Sequence, residues 1–262
     1  MGDIGTKLVA LMPAIVFVLI ALFEMIRSRR ELRFGRFRRW TTSLILFASN
    51  RATVWLLAWI IAIPAVALWT EKNGIGLFHQ IALPSWVEWL GAFLLLDFAM
   101  WLQHLLTHKV PMLWRLHKVH HADPDIDVST AIRFHPGEIA FSVLWKAGWV
   151  MLLGVAAPII IAFEAWLAAN AAFNHGNIEL PRWLDRTVRL FLVTPDMHLV
   201  HHSIIVREQQ SNYGFALTIW DRLFGTFLTA SEKGRDLQSI GLAEMQDSRP
   251  TYTAVSLKLP LT

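Results

Sequence analysis

Uninterrupted apolar segments constrain this sequence more than any other feature. The stretch LVALMPAIVFVLIALFEMI, residues 8–26, is long enough to cross about 30 Å of hydrocarbon as a helix, and its one charge, Glu24, lies near its end. Of the whole chain, 55% of residues are hydrophobic, whereas roughly 45–50% is typical of soluble domains. No cleavage motif of small residues follows, so we expect a retained anchor rather than a signal peptide. The sequence therefore predicts an integral membrane protein.

Three further apolar segments extend this pattern. Residues 44–69 contain a second span, which Asn50 interrupts early, and residues 86–104 form a third. The stretch 139–173 is too long for one span, and Pro158 near its middle disfavours a continuous helix. We expect a helical hairpin there, because a hairpin returns the chain to the side of the membrane from which it came.

These segments predict an all-α fold, a polytopic membrane helical bundle of about four to five spans that includes the short hairpin. Residues 104–138 are polar and histidine-rich, and residues 175–262 contain no further span. We expect both to form a cytoplasmic, histidine-rich helical cap that binds metal. Since no internal boundary is evident, residues 1–262 are predicted to form a single membrane-embedded domain.

Seven arginines between Arg27 and Arg39 set the expected orientation. So dense a basic cluster beside a span marks the cytoplasmic side by the positive-inside rule. Its position next to a span disfavours a nucleic-acid-binding role, so we expect no nucleic-acid partner. The retained polytopic start and the absence of a retrieval signal for the endoplasmic reticulum favour a bacterial inner membrane.

Histidines are the candidate metal ligands, because the chain has no cysteine. Ten of the eleven histidines lie between positions 104 and 202. Two lie four positions apart in HLLTH, and the pattern His-x-x-His-His occurs twice, so each set projects its rings from one side of a helix. With the histidine of FNHGN, the candidate ligands are His104, His108, His117, His120, His121, His175, His198, His201 and His202.

The number of these histidines predicts two metal ions. Zinc, for comparison, takes about three or four protein ligands, and nine imidazoles exceed what one ion can use. Imidazole suits iron, zinc, copper and nickel, so the residue types do not choose between them. His135, in RFHPGE, stays open between three roles: a ligand, a side chain that orients a ligand, and a helix-start residue before Pro136.

Polar side chains near these motifs are candidates to hold a ligand histidine in place. Asp97, within the third span, is the strongest of them. Asp196, Glu138 and Asp221 are weaker candidates, and a salt bridge or helix cap fits Asp221 at least as well. Asn174 can hold a metal-bound water, although capping hydrogen bonds are the commoner role for such a residue.

Six stretches follow one another between residues 97 and 227: DFAMWLQHLLTH, LWRLHKVHH, TAIRFHPGE, FNHGNIELP, TPDMHLVHHS and NYGFALTIWDRLFGTF. Together they resemble the fatty acid hydroxylase/sterol desaturase superfamily of integral-membrane, non-haem di-iron oxygenases. The resemblance implies a centre of two iron ions, bound by the nine candidate histidines, with O2 as co-substrate; zinc can replace iron in a purified sample. Leu105 stands where relatives commonly have arginine, which leaves every ligand in place and the substrate open.

The resemblance implies an O2-dependent hydroxylase that oxidises a C–H bond of a membrane lipid, with desaturation by the same centre as the alternative. We find no haem, flavin or dinucleotide motif in the sequence, so electrons must come from an external donor, a cytochrome b5-like protein or a ferredoxin with its reductase. A histidine-rich metal transporter is less favoured, because transport sites lie near the bilayer midplane and these histidines lie at span ends or in polar segments.

Overall fold

The regular structure of the chain is helical. The computed structural model describes residues 3–234 and 239–262, so residues 1–2 and 235–238 of the predicted domain lie outside the described residues. The α-helices of these residues are α1 (Asp3–Ile26), α2 (Arg36–Ala58), α3 (Ile63–Asn73), α4 (Leu77–Gln80), α5 (Ser85–Lys109), α6 (Pro111–His121), α7 (Pro136–Leu153), α8 (Ala157–Asn174), α9 (Arg182–Val188), α10 (Pro195–His201), α11 (Val206–Gln209), α12 (Ile219–Leu223) and α13 (Thr253–Lys258). The predicted all-α fold is confirmed.

Four helical segments of the described residues are long and apolar enough to cross a membrane: Lys7–Ile26, Arg36–Gln80, Ser85–Lys109 and Ala157–Asn174. α1 packs along α8 and leaves most of its apolar side chains exposed, as a lipid-facing helix does. These spans confirm the predicted polytopic membrane bundle.

The second predicted span, 44–69, differs from the structure at both ends. α2 already begins at Arg36 and ends at Ala58, and α3 follows from Ile63. Pro64, near the start of α3, lacks a backbone N–H and disfavours helix in the residues before it, which accounts for the break. Arg39 starts α2 early because its buried side chain is neutralised by acidic residues from another part of the chain.

The third span is longer than the predicted 86–104. α5 continues to Lys109, so His104 and His108 both lie within its last turns. Farther from this end, Leu96 and Met100 of α5 pack with apolar residues of α7 and α8 in the main core of the bundle. The rigid end of a spanning helix therefore carries the first pair of histidines.

α7 and α8 form the expected hairpin, with bounds three residues earlier and one residue later than predicted. α7 ends at Leu153 and is capped by Gly154, whose φ of 70° lies in the left-handed region that favours glycine. Gly76, in the turn after α3, lies so close that a Cβ atom there would be 2.2 Å from the backbone nitrogen of Gly154. Lys146 and Glu164, in opposite arms, pair at 2.6 Å. The hairpin thus reaches the loop at the far side and returns the chain to the histidine side.

Candidate metal centre

Nine histidines converge at one end of the bundle, in two adjacent groups. Within each group, each histidine offers one ring nitrogen, these nitrogens all lie within 4.8 Å of one another, and all nine side chains are buried. The larger group comprises His104, His108, His117, His121 and His201, and the smaller group comprises His120, His175, His198 and His202. The structure therefore brings together all nine histidines that the sequence singled out.

The two His-x-x-His-His motifs each contribute to both groups. In α6, His117 and His121 are four residues apart and share one face of the helix, so both enter the larger group, while His120 points into the smaller one. α10 mirrors this arrangement from the opposite side: His198 and His202 enter the smaller group, and only one ring of its motif enters the larger. Each motif therefore bridges the two groups.

Hydrogen bonds at Nδ1 fix the tautomer of five of these histidines. Each of the five lies next to an oxygen that can only accept, so Nδ1 carries the proton and Nε2 keeps its lone pair. The pairs are His104 with Tyr213 O (2.8 Å), His117 with Glu138 Oε1 (2.7 Å), His120 with Arg133 O (3.3 Å), His175 with Ala171 O (2.7 Å) and His201 with Ser211 O (2.7 Å).

The free Nε2 atoms face one another in a way that suits a cation. His120 Nε2 lies 3.0 Å from His175 Nε2, and His104 Nε2 lies 3.2 Å from His117 Nε2. Since all four rings donate from Nδ1, these contacts join two lone pairs and are not hydrogen bonds. His108 and His121 have no hydrogen-bond partner at either ring nitrogen within the described residues, although both rings are buried. Converging lone pairs and orphaned nitrogens are what a set of metal ligands requires, so these residues fit bound metal.

Burial keeps the rings that lie outside the spans in the neutral form. Desolvation, followed by the neighbouring histidines, lowers the pKa well below the ordinary value for five of them: His120, His121, His198, His201 and His202. Burial likewise lowers the pKa of His175 to about 4. Neutral imidazole is the form that binds metal ions.

Glu138 is the carboxylate that holds a histidine of the centre. It lies in the first turn of α7, is buried, and accepts the Nδ1 proton of His117. Asp97, the strongest candidate from the sequence, accepts a hydrogen bond at Oδ2 from the indole of Trp220 at 2.8 Å, and its buried Oδ1 has no hydrogen-bond partner within the described residues. Asp196 forms ion pairs with Arg29 and Arg189.

Asp221 acts on the centre through the backbone. Its carboxylate accepts hydrogen bonds from the backbone nitrogens of Tyr213 (2.9 Å) and Gly214 (2.8 Å), and from the indole of Trp101 (3.0 Å). These contacts fix the carbonyl of Tyr213, which accepts the Nδ1 proton of His104. Asp221 therefore orients a histidine without contacting it.

Two residues with open roles take structural positions. His135 is half-buried at the start of α7, where its Nδ1 accepts a hydrogen bond from the backbone nitrogen of Gly137 at 3.0 Å, and it belongs to neither group. Of its three predicted roles the structure favours the helix start. Asn174 donates to the carbonyl of Phe215 at 2.8 Å, and its buried Oδ1 has no partner within the described residues.

The sequence interpretation missed a buried network behind the smaller group. Arg39 donates to Asp123 at 2.8 Å and to Asp127 at 2.6 Å, in the loop that follows α6. Arg133, also fully buried, donates to the carbonyl of Val119, and its own carbonyl faces His120. The run ADPDID after the second histidine motif was the available signal, since three acidic residues in a membrane protein call for cationic partners.

Known proteins resemble the half of the chain that holds this centre. The family model for fatty acid hydroxylases matches residues 89–226. The ornithine lipid hydroxylase of Rhizobium tropici is 34% identical over 137 residues, which cover 50% of this chain and 39% of that protein. Human alkylglycerol monooxygenase is 30% identical over 150 residues, which cover 55% of this chain and 32% of that protein.

A fungal relative gives a similar result. The fatty acid hydroxylase vlmA of a Lecanicillium species is 27% identical over 166 residues, which cover 56% of this chain and 45% of that protein. The chain spans less than half the length of each of these three relatives. No solved structure matches it. With a family model that covers more than half of its residues and every histidine of the two groups, the chain belongs to the fatty acid hydroxylase family.

Proposed function

We propose that the protein is an O2-dependent di-iron hydroxylase of a membrane lipid. The observation that carries this proposal is the pair of buried histidine groups at the ends of two spanning helices, α5 and α8. Two iron ions, one in each group, fit donor sets made only of imidazole nitrogen. When bound, they supply the activation of O2, so that one oxygen atom enters a C–H bond and the other leaves as water, with two electrons and two protons consumed.

The protein's own residues position and enclose this chemistry. Glu138 and the carbonyls at Nδ1 orient the rings, so that the ligands need little rearrangement when metal binds. Phe134 stacks on His120, with ring centroids 4.4 Å apart, and Phe215 lies 4.9 Å from His104. These aromatic walls exclude water from the groups, which protects a reactive oxidant from side reactions.

A lipid is the proposed substrate, and hydroxylation is favoured over desaturation. Both conclusions are supported by the names of the relatives, which are hydroxylases and monooxygenases of lipids. A metal transporter fits less well, because both groups lie at the end of the bundle rather than at the midplane of the spans.

The electron donor that we propose is an acidic one-electron carrier, such as a cytochrome b5-like protein or a ferredoxin, which docks on α6. Arg115 of α6 and Lys109, at the adjoining end of α5, are exposed and would attract an acidic partner. Between them, the half-buried ring of Trp114 lies 5.0 Å from that of His108 and 5.5 Å from that of His121. The side chain of Trp114 therefore offers electrons a short route from the protein surface to the larger group.

We place the centre on the cytoplasmic side of the membrane. Arg29 pairs with Asp196 and Arg39 pairs with Asp123, so the arginine-rich segment lies at the same end of the bundle as the histidines. The positive-inside rule assigns that end to the cytoplasm. A bacterial inner membrane stays a prediction from the sequence.

Comparative lipidomics tests the proposed function. Cells would express the wild type, His201→Ala or the control His79→Ala, which alters the histidine outside both groups and outside the 104–202 stretch. We expect a lipid species heavier by one oxygen atom in the wild type and the control, and its loss in His201→Ala. Lipid profiles that are identical in all three, with iron bound and reductant present, would contradict the proposal.

A further inference from the structure

Two short segments on the histidine side expose large apolar side chains next to one another. The segments are 182–192 and 217–224, and the bridge between Leu192 and Leu217 joins them, with a hydrogen bond from Thr218 N to Phe191 O at 3.0 Å. The apolar side chains are 50% to 70% exposed. They comprise Trp183, Leu190, Phe191, Ile219, Leu223 and Phe224, and are called the interfacial surface below.

This surface packs beside a spanning helix, at some distance from the histidine end of that helix. Phe224 stacks against Trp101 at 4.7 Å and against Phe98 at 6.0 Å, and both of these belong to the spanning helix α5. They precede the end of α5 at Lys109 by eight and eleven residues, which corresponds to about 12 and 17 Å along a helix. α12 therefore packs against α5 about two to three helical turns before that helix ends.

Two reciprocal hydrogen bonds hold α12 at this level of α5. The indole of Trp220 donates to Asp97 of α5 at 2.8 Å, and the indole of Trp101 of α5 donates to Asp221 of α12 at 3.0 Å. Because both carboxylates are buried, water does not compete for either hydrogen bond. These bonds fix the orientation of α12, so that Ile219, Leu223 and Phe224 stay exposed on its outer face.

The charges that border the surface favour an anionic layer. Arg182, Arg186 and Arg222 are exposed on the same two segments, while the carboxylate of Asp185 is buried and pairs with Arg189. A short segment with apolar side chains on one side and arginines beside them is typical of a helix that lies in the headgroup region of a bilayer. The arginine side chains can extend to phosphate groups while their stems stay in the apolar layer.

We propose that the interfacial surface inserts into the lipid leaflet on the metal side, with its three arginines among anionic phospholipid headgroups. Part of the predicted cap, 175–262, is then embedded in the membrane. The surface is close to the metal centre along the chain of contacts. Asp221 lies between Ile219 and Leu223 and fixes the backbone of Tyr213, whose carbonyl orients His104. A lipid of this leaflet thus meets the protein beside the centre, but the insertion itself does not depend on the proposed chemistry.

Single cysteines test this insertion cleanly, because the natural sequence has none. A nitroxide would be attached at Leu223→Cys or Phe191→Cys, in vesicles of phosphatidylcholine and phosphatidylglycerol. Leu19→Cys, on the lipid-facing side of α1, and Val206→Cys, 71% exposed next to the exposed Arg207–Glu232 pair, are the membrane and water controls. Spectral broadening by O2 and by a water-soluble nickel chelate reports the depth of each label.

We expect the labels at positions 223 and 191 to behave like that at position 19, with strong broadening by O2 and loss of broadening by nickel. Broadening by nickel equal to that at position 206 would overturn the proposal. Protection from both reagents would also overturn it, because it would indicate a protein partner or a second copy on this surface. In vesicles of phosphatidylcholine alone we expect nickel broadening at position 191 to increase, and an unchanged value would overturn the anionic preference.

Discussion

Among the nine histidines, His117 has a distinct environment. Its Nδ1 donates to the carboxylate of Glu138, whereas four other rings donate to backbone carbonyls. A negative partner makes an imidazole a stronger electron donor than a neutral carbonyl does. His117 should therefore bind the metal ion of the larger group more tightly than the other histidines of that group do.

Replacement of Glu138 tests this difference. Glu138→Ala removes the acceptor, and we expect metal affinity to fall by about 10- to 100-fold, while Glu138→Gln keeps an acceptor oxygen and should lose less. Competition with a chromophoric chelator measures the affinity. Glu164→Gln is the matched control, since it replaces a carboxylate that pairs with Lys146 inside the hairpin and contacts no histidine of the centre. Wild-type affinity in Glu138→Ala would show that the carboxylate does not act on the metal.

The sequence could identify the histidines but not all of the residues that orient them. Spacing along a helix is local, so the four-residue separations already placed rings on common faces. The partners of Asp97 and Glu138 could not be read from the sequence, because a side chain finds its partner through tertiary packing. Asp97 meets Trp220, 123 positions away, and Glu138 meets His117, 21 positions away.

At the scale of helices, the repeated His-x-x-His-His motif explains why two groups form. The first and last histidines share a face, and the middle one is rotated away from it, so one motif feeds two groups. The two helices that carry this motif, α6 and α10, supply six of the nine histidines, and His104 and His108 of α5 and His175 at the end of α8 complete the groups. The sequence predicts one pocket for two metals, but the division of each motif between them depends on how α6 and α10 pack.

The helical hairpin depends on close contact between two glycines. Gly76 has a φ of 107°, and a Cβ atom there would lie 2.2 Å from the nitrogen of Gly154. We expect Gly76→Ala to destabilise the protein by at least about 2 kcal/mol, because it adds both backbone strain and a clash with backbone atoms. Unfolding midpoints in detergent measure this effect.

Gly148→Ala is the matched control, since it lies within α7 and a Cβ atom there would have open space around it. Alanine favours a helix over glycine by up to about 1 kcal/mol, so this variant should be as stable as the wild type or more so. Equal stability of Gly76→Ala and Gly148→Ala would contradict the tight contact between the turn after α3 and the hairpin.

At the scale of the whole molecule, hydropathy predicted the spans but not where their helices begin. α2 starts eight residues before the predicted span because Arg39 is neutralised by Asp123 and Asp127, and hydropathy cannot register such a pairing. The arginine-rich segment, expected to mark only orientation, also ties the first two spans to the loops around the centre. The arginines that are expected to set the topology therefore also hold the loops around the histidines in place.

The central claim is that one pocket holds two iron ions, one in each histidine group. Iron per chain, measured after anaerobic loading with Fe(II) and removal of loose metal, tests it most directly. With five and four imidazoles available to the two ions, we predict two ions in the wild type and about one in His104→Ala or His198→Ala, which each affect a different group. A single iron in the wild type, or two in both variants, would contradict the account.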